Sequence, residues 1–230
     1  MPEAAEGQHA PVDADQDTAL DVLAYEWIRD RIIDGTMLHG SRVRERDIAA
    51  QLNVSRNPIR EALPRLEAEG YIRTLHRRGA VVTPMRMQEV AELFTVRSVL
   101  EPLTAREAAM RCAEGASPAR LLESLEAEER AMRSGDARTV ANATADFHDE
   151  IVELSGNVLL QQIMMPIRGR VKRFFNIITQ EGSDNTHSEH STLCKAIVQG
   201  HVDWAGSLAA AHLEHGRLSS LAVVESLFER

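Results

Sequence analysis

Between Glu45 and Leu52 the apolar residues Ile48, Ala49 and Leu52 recur at helical spacing while Arg46, Asp47, Ala50 and Gln51 fall on the other side, which predicts one short helix. Asn53, Val54 and Ser55 follow as a turn residue, a hydrophobic plug and an N-cap, so the chain stops and restarts within a few residues. In the second helix Pro58 sits in the first turn, where its missing N–H is harmless, and Ile59, Ala62, Leu63 and Leu66 form a stripe to be buried. A break this short forces two helices to cross. Pro64 lies inside the second helix and should bend it slightly. Gly70 ends it, after which Tyr71–Leu75 and Ala80–Thr83 alternate as strands around the basic tip His76-Arg77-Arg78-Gly79.

Past Pro84 the pattern changes. Ala-, Leu- and Glu-rich stretches with helical spacing cover 87–113, 118–134, 137–155, 158–180, 185–199 and 202–228, separated at Gly115, Gly135, Gly156, Gly182 and Gly200. No second set of alternating strands and no long repeat appears. Pro102 and Pro166 fall inside two of these helices, where a kink would open space for a cavity. The expected protein is mainly α: a winged helix-turn-helix over 19–84 and a six-helix antiparallel bundle over 85–230. Residues 1–18, rich in Ala, Asp, Glu and Pro without apolar periodicity, read as a flexible acidic tail.

Charge sharpens the picture. The 230-residue chain carries a net charge of −9, yet residues 18–84 hold 11 Arg against 9 Asp and Glu. A mildly basic module in an acidic protein suits local, geometry-dependent contact with a polyanion and disfavours nonspecific coating. Cys112 and Cys194 are too few for a disulfide framework, and neither a signal peptide nor an apolar run of about 18 residues is present. A soluble, cytoplasmic protein that meets no membrane is expected.

The polar residues of the second helix supply the chemistry. Arg56, Asn57 and Arg60 are left outward at its N-terminal end, where the dipole and free N–H groups favour phosphate and where a recognition helix enters the major groove. Arginine and asparagine read guanine and adenine edges bidentately, and Ser55 is placed to bond a phosphate. Arg77 and Arg78 arm the wing. Double-stranded DNA is the expected partner.

These motifs resemble the GntR family of bacterial transcription regulators. The likeness runs through Ile28, Ile32 and Gly35, then Gly40-Ser41-Arg42-Val43, Val54-Ser55-Arg56-Asn57-Pro58-Ile59-Arg60-Glu61-Ala62-Leu63, Leu66-Glu67-Ala68-Glu69-Gly70 and Arg78-Gly79-Ala80. It implies that Arg46, Ser55, Arg56, Asn57, Arg60 and Gly79 approach an operator. Asn57 stands where the family usually has Thr, which would alter base preference.

Three of nine histidines sit in predicted helices of the bundle: His148 after Phe147, His190 after Glu189, and His212 between Ala211 and Leu213. Facing inward together, three imidazoles hold a divalent ion and leave positions open for a ligand. Nothing local unites them. A second resemblance does: Leu93-Phe94-Thr95-Val96-Arg97 with Glu101, Phe147-His148 with Ser155-Gly156-Asn157, Glu189-His190 with Ala196-Ile197, and Ala209–Leu213 look like the effector-binding FCD domain of the FadR subfamily, in its six-helix VanR-like branch. That likeness implies a Zn or Ni ion on His148, His190 and His212, and Arg97 near a cavity for a carboxylate effector. Family members commonly place Asp one turn before the first histidine; Thr144 stands there instead, a poor metal ligand.

Glu123, Glu126, Glu128, Glu129 and Arg130 read as a solvated helix face, Arg168, Arg170, Lys172 and Arg173 as surface or interface charges rather than a second DNA site, and His187 as exposed. No phosphate loop and no nucleophile–base constellation is present, so no catalysis is expected. A helical metalloenzyme with Glu150 or Glu189 as base, and an architectural DNA protein, are the rival readings; the acidic bundle disfavours the second. The reading adopted is a ligand-responsive regulator, a repressor, acting as a homodimer on a pseudo-palindromic operator and answering to a small organic acid.

Overall fold

A computed structural model describes residues 14–76, 79–178 and 187–228. The elements run α1 (Ala14–Ile33), β1 (Arg42–Val43), α2 (Glu45–Leu52), α3 (Arg56–Ala68), β2 (Ile72–Leu75), β3 (Gly79–Val82), α4 (Met87–Ala113), α5 (Ala119–Ser134), α6 (Ala137–Leu154), α7 (Val158–Ile178), α8 (His187–Val198) and α9 (Val202–Phe228). They form two compact units that divide at Pro84 and Met85, apart from Ile33–Gly35, which group with the second. Helix α1 begins inside the segment read as tail, so residues 14–18 are helical; residues 1–13 lie outside the described residues.

In the first unit the expected stripes are buried. Ile48 and Ala49 of α2 and Ile59, Ala62 and Leu66 of α3 pack in a core with Ile28 and Ile32 of α1, while Leu52 and Leu63 are half-buried. Truncating a residue such as Ile59 to Ala in a core of this kind costs about 2–5 kcal/mol. Asn53 ends α2 in the left-handed region (φ 55°), and Val54 N–H reaches back to Ala49 O at 3.0 Å, which makes the turn short. Helix α3 runs through Pro64 without interruption.

The wing is more than a hairpin. Strand β3 pairs antiparallel with β2 (Ile72 opposite Val82, Leu75 opposite Gly79) and, on its other edge, with β1 (Arg42 opposite Val81). A two-residue strand is too short to show alternation, which is why the pattern of the sequence did not reveal β1. Two side-chain links fix α3 on this scaffold: Tyr25 donates to Glu69 at 2.6 Å, and Glu67 accepts from Thr74 N–H and Oγ1, both at 2.7 Å.

The second unit is a six-helix body. Helix α4 packs along α9 and also touches α6, α7 and α8, and α5 bridges α6 and α8. Small residues let these helices approach: Ala105, Ala108 and Ala109 of α4 meet Ala205 and Ala209 of α9 in a core with Leu121, Phe147, Leu193 and Ile197. Gly200 turns the chain from α8 into α9 at φ 72°, and a Cβ there would lie 2.9 Å from the Ala113 Cβ. Helices α4 and α7 continue through Pro102 and Pro166. The expected helix ends at 180 and 185 fall outside the described residues. Among the described residues no helix is long and apolar enough to cross a membrane.

Candidate functional site

The N-terminal end of α3 presents the polar set that the sequence singled out. Ser55, Arg56, Asn57 and Arg60 are all exposed, whereas Pro58 and Ile59 between them are buried, so the helix shows one basic, amide-bearing face. Ser55 occupies the N-cap position with extended backbone, but its hydroxyl makes no capping bond to the helix and stays available to an external acceptor. Arg46 stands almost fully exposed on α2, 3.6 Å from Asp47. Arg60 is anchored: its Nε donates to Glu45 Oε2 at 2.7 Å. Gly79 is exposed at φ 77°, a backbone state that favours glycine at the foot of the wing. Arg77 and Arg78 lie outside the described residues.

In the second unit α6, α8 and α9 bring His148, His190 and His212 together, one candidate ligand atom from each lying within 4.8 Å of the others. His190 Nε2 and His212 Nε2 are 3.2 Å apart. Two nitrogens bound tetrahedrally to one zinc at about 2.0–2.1 Å would be separated by about 3.3 Å. The remaining ring nitrogens are held by carboxylates. His190 Nδ1 lies 2.8 and 2.9 Å from the two oxygens of Glu128, and His212 Nδ1 lies 2.8 Å from Glu189 Oε2. A carboxylate accepts only from an N–H, so each contact places a proton on Nδ1, and the neutral form of each ring then offers the lone pair of Nε2. His148 Nε2 is buried without a hydrogen-bond partner. That orphaned ring nitrogen, beside two oriented imidazoles, is the observation that fits the site to a divalent cation.

Electrostatics agree with neutral His148 and His212. Burial, with His190 and His212 next to it, pushes His148 well below the ordinary imidazole value. Burial and the neighbouring His190 lower His212 to about 4, against a smaller opposing pull from Glu189. Burial alone would raise Glu128, but bonds from His190, His187 and Thr144 outweigh it and hold it at about 2.

Glu128 corrects the sequence reading. It is 1% exposed, not part of a solvated face, because it lies seven residues after the buried Leu121 and three before the buried Ala131. That spacing was the available signal. His187 is likewise not free surface, since its Nδ1 sits 3.0 Å from Glu128 Oε2. Arg173 is buried, and Arg168 is half-buried with bonds to Asp149 at 2.5 Å and Glu153 at 2.9 Å.

A cavity of about 30 Å³ adjoins the triad, with His148, His212, Glu101, Arg168, Met164 and Val152 in its lining. It has room for one or two waters. Arg97 is 1% exposed and grips Glu101 through Nε at 2.5 Å and Nη2 at 3.3 Å, while its Nη1 is buried without a partner. Glu101 therefore lines the cavity and Arg97 stands behind it. The carboxylates named for the metalloenzyme reading are engaged: Glu150 with Arg120 at 2.7 Å, and Glu189 with His212 and His215.

Comparison with known proteins places both units. Residues 22–82 match the family model "Bacterial regulatory proteins, gntR family", and residues 92–215 match the "FCD domain" model. The "Probable D-xylose utilization operon transcriptional repressor" of Paenarthrobacter nicotinovorans is 33% identical over 183 residues, 79% of this chain and 80% of that protein. The "Nta operon transcriptional regulator" of Aminobacter aminovorans is 27% identical over 175 residues, 76% of this chain and 82% of that protein. A solved GntR transcriptional regulator from Rhodococcus sp. RHA1 superposes with a TM-score of 0.75 at 25% identity, covering 89% of this chain and 98% of its own.

Proposed function

Because the chain belongs to the GntR family of bacterial regulatory proteins and carries an FCD domain, we propose that it is a metal-assisted, organic-acid-responsive repressor that grips a pseudo-palindromic operator as a homodimer in the cytoplasm. The observation that carries the DNA half is the exposed set Ser55, Arg56, Asn57 and Arg60 at the start of α3, on a helix braced through Glu67 and Glu69. Arg56 and Arg60 read guanine edges, Asn57 an adenine edge, and Ser55 and Arg46 meet phosphate, and Arg77, Arg78 and Gly79 are further DNA contacts in this reading. One such helix covers only a few base pairs, so two copies are needed.

The second copy has a surface to meet. Val96, Val99 and Leu103 leave an exposed apolar stripe on α4, and Leu159 and Ile163 another on α7. We assign the domain to the FadR subfamily and its VanR-like branch on its six helices.

His148, His190 and His212 would hold a Zn or Ni ion. A bound ion would supply Lewis acidity and open positions toward an anionic ligand. The chain's own part is to orient the imidazoles through Glu128 and Glu189, to keep the cavity apolar on its far wall, and to set positive charge near it. Arg97 acts on that charge balance through Glu101, whose carboxylate it holds in the lining. An acid larger than two waters enters only if side chains around the cavity give way, and that displacement is what couples ligand to dimer geometry; coupling of about 1–3 kcal/mol suffices. A thermal-shift panel of small carboxylates on the full chain, with and without added Zn²⁺ or Ni²⁺, tests this reading. Stabilisation by an acid only in the presence of the ion supports it, and indifference of every acid to the ion refutes it.

A further inference from the structure

Thr144 stands one turn before His148 on α6, and its hydroxyl is taken up by a carboxylate: Oγ1 donates to Glu128 Oε1 at 2.7 Å. Glu128, delivered from α5, gathers three side chains on its two oxygens, Thr144, His190 and His187. A carboxylate buried to this degree is strongly disfavoured unless such donors surround it. We infer that Glu128 is the positioning carboxylate of the histidine centre, held in place by Thr144, and that the centre has three imidazole ligands and no carboxylate ligand. The inference rests on the metal-centre reading given above.

The geometry separates positioning from ligation. Nδ1 and Nε2 lie on opposite edges of an imidazole. Glu128 occupies the Nδ1 edge of His190, whereas Nε2 faces His212 at 3.2 Å. The carboxylate is therefore on the far side of the ring from the Nε2 edge that faces His212, and it acts by fixing the ring's angle and tautomer.

The same geometry explains why residue 144 is a hydroxyl. Its neighbour Glu128 is an acceptor on both oxygens, so residue 144 must donate. An aspartate at 144 would set a second carboxylate against a buried first one, and like charges so close disfavour each other. Thr144 and Glu128 are thus a matched pair, and a single exchange at 144 cannot convert the centre into a carboxylate-ligated one. With three neutral imidazole ligands a bound ion would keep its full double charge, which would favour an anion as the incoming ligand.

The experiment is a Co²⁺ titration of the chelator-stripped full chain, read by its visible absorption, with Zn²⁺ affinity from competition. Glu128→Gln should weaken binding by about 10–100-fold. Thr144→Val should weaken it in the same direction, Thr144→Ser should retain the parent affinity, and Glu128→Gln with Thr144→Val should be no weaker than Glu128→Gln alone. Thr144→Asp should not tighten binding or shift the Co²⁺ bands. Thermal melting of the stripped variants reports folding; should Glu128→Gln fail to fold, the half-buried Thr144 series decides the question. His190→Ala is the control. If it abolishes Co²⁺ binding while Glu128→Gln and Thr144→Val bind like the parent, the positioning inference is wrong and the metal reading stands. If Thr144→Asp tightens binding with altered bands, the inference is also wrong. If the parent itself takes up neither Co²⁺ nor Zn²⁺, the metal reading fails and carries this inference with it.

Discussion

Arg60 is held by Glu45 through Nε alone, at 2.7 Å, and both residues lie on the exposed side of the helix pair. The contact uses Nε and not the fork of Nη1 and Nη2, and such a fork is what pairs with guanine O6 and N7. On the proposed DNA reading, Glu45 would orient a reading side chain while adding negative charge near the duplex. Glu45→Gln should lower the ratio of specific to nonspecific affinity by about three- to tenfold while nonspecific affinity rises, because a repulsive charge is lost along with the anchor. Fluorescence anisotropy on a selected duplex and on a scrambled one measures the ratio; an unchanged ratio would remove Glu45 from recognition.

The buried imidazoles give the stability a pH dependence of predictable sign. His212 is held at about 4 in the folded chain, below the ordinary 6.5 of a solvated imidazole, and His148 is displaced in the same direction. Between those values the unfolded chain binds more protons than the folded one, so stability falls as pH drops from about 6.5 to about 4 and changes little above 6.5 from this source. For His212 alone the loss across the window is on the order of 3 kcal/mol. Glu128, held at about 2, adds a further loss below about 4.5. Urea melts of the metal-stripped protein across this range check the expectation. His212→Gln should flatten the upper part of the curve; a slope identical to the parent's would contradict the assignment.

Self-association should depend on the exposed apolar stripe of α4. Val99 is 68% exposed and Val96 and Leu103 flank it at helical spacing. A charge there meets water in a monomer but is desolvated in an interface, so Val99→Asp should leave the melting temperature of the isolated chain almost unchanged and weaken the dimer by at least about tenfold. Sedimentation equilibrium distinguishes the two states, and a dimer of parental strength would move the interface elsewhere.

The fold was legible wherever burial coincided with apolar side chains. Ile48, Ala49, Ile59, Ala62 and Leu66 announce the crossed helices because each falls on a helical period and is buried. The glycines past Pro84 likewise mark the breaks between helices that the structure shows at Gly115, Gly135, Gly156 and Gly200. Strand β1 escaped because two residues carry no period. The site was legible only in part. His148, His190 and His212 are far apart in sequence and were united by resemblance, and the structure brings them within reach of one another. Glu128 was hidden by residue type, since Glu123, Glu126 and Glu129 around it face solvent and a lone buried acid looks like its neighbours. Its spacing from Leu121 was the better guide. Arg97 carried the opposite difficulty: the i, i+4 relation to Glu101 permits an internal ion pair, and that pair, rather than an open guanidinium, is what the folded chain contains.

The proposed function stands or falls with the reading of a DNA sequence by the start of α3. The direct measurement is an equilibrium titration of the parent and of Arg56→Ala against a duplex enriched from a random pool by the parent, with a scrambled duplex alongside and salt held constant. The account predicts that the parent prefers the enriched duplex by about a thousandfold or more, and that Arg56→Ala loses about 1–3 kcal/mol on that duplex with a much smaller change on the scrambled one. Equal affinity of the parent for both duplexes, or an Arg56→Ala curve that overlays the parent's on the enriched duplex, would contradict it.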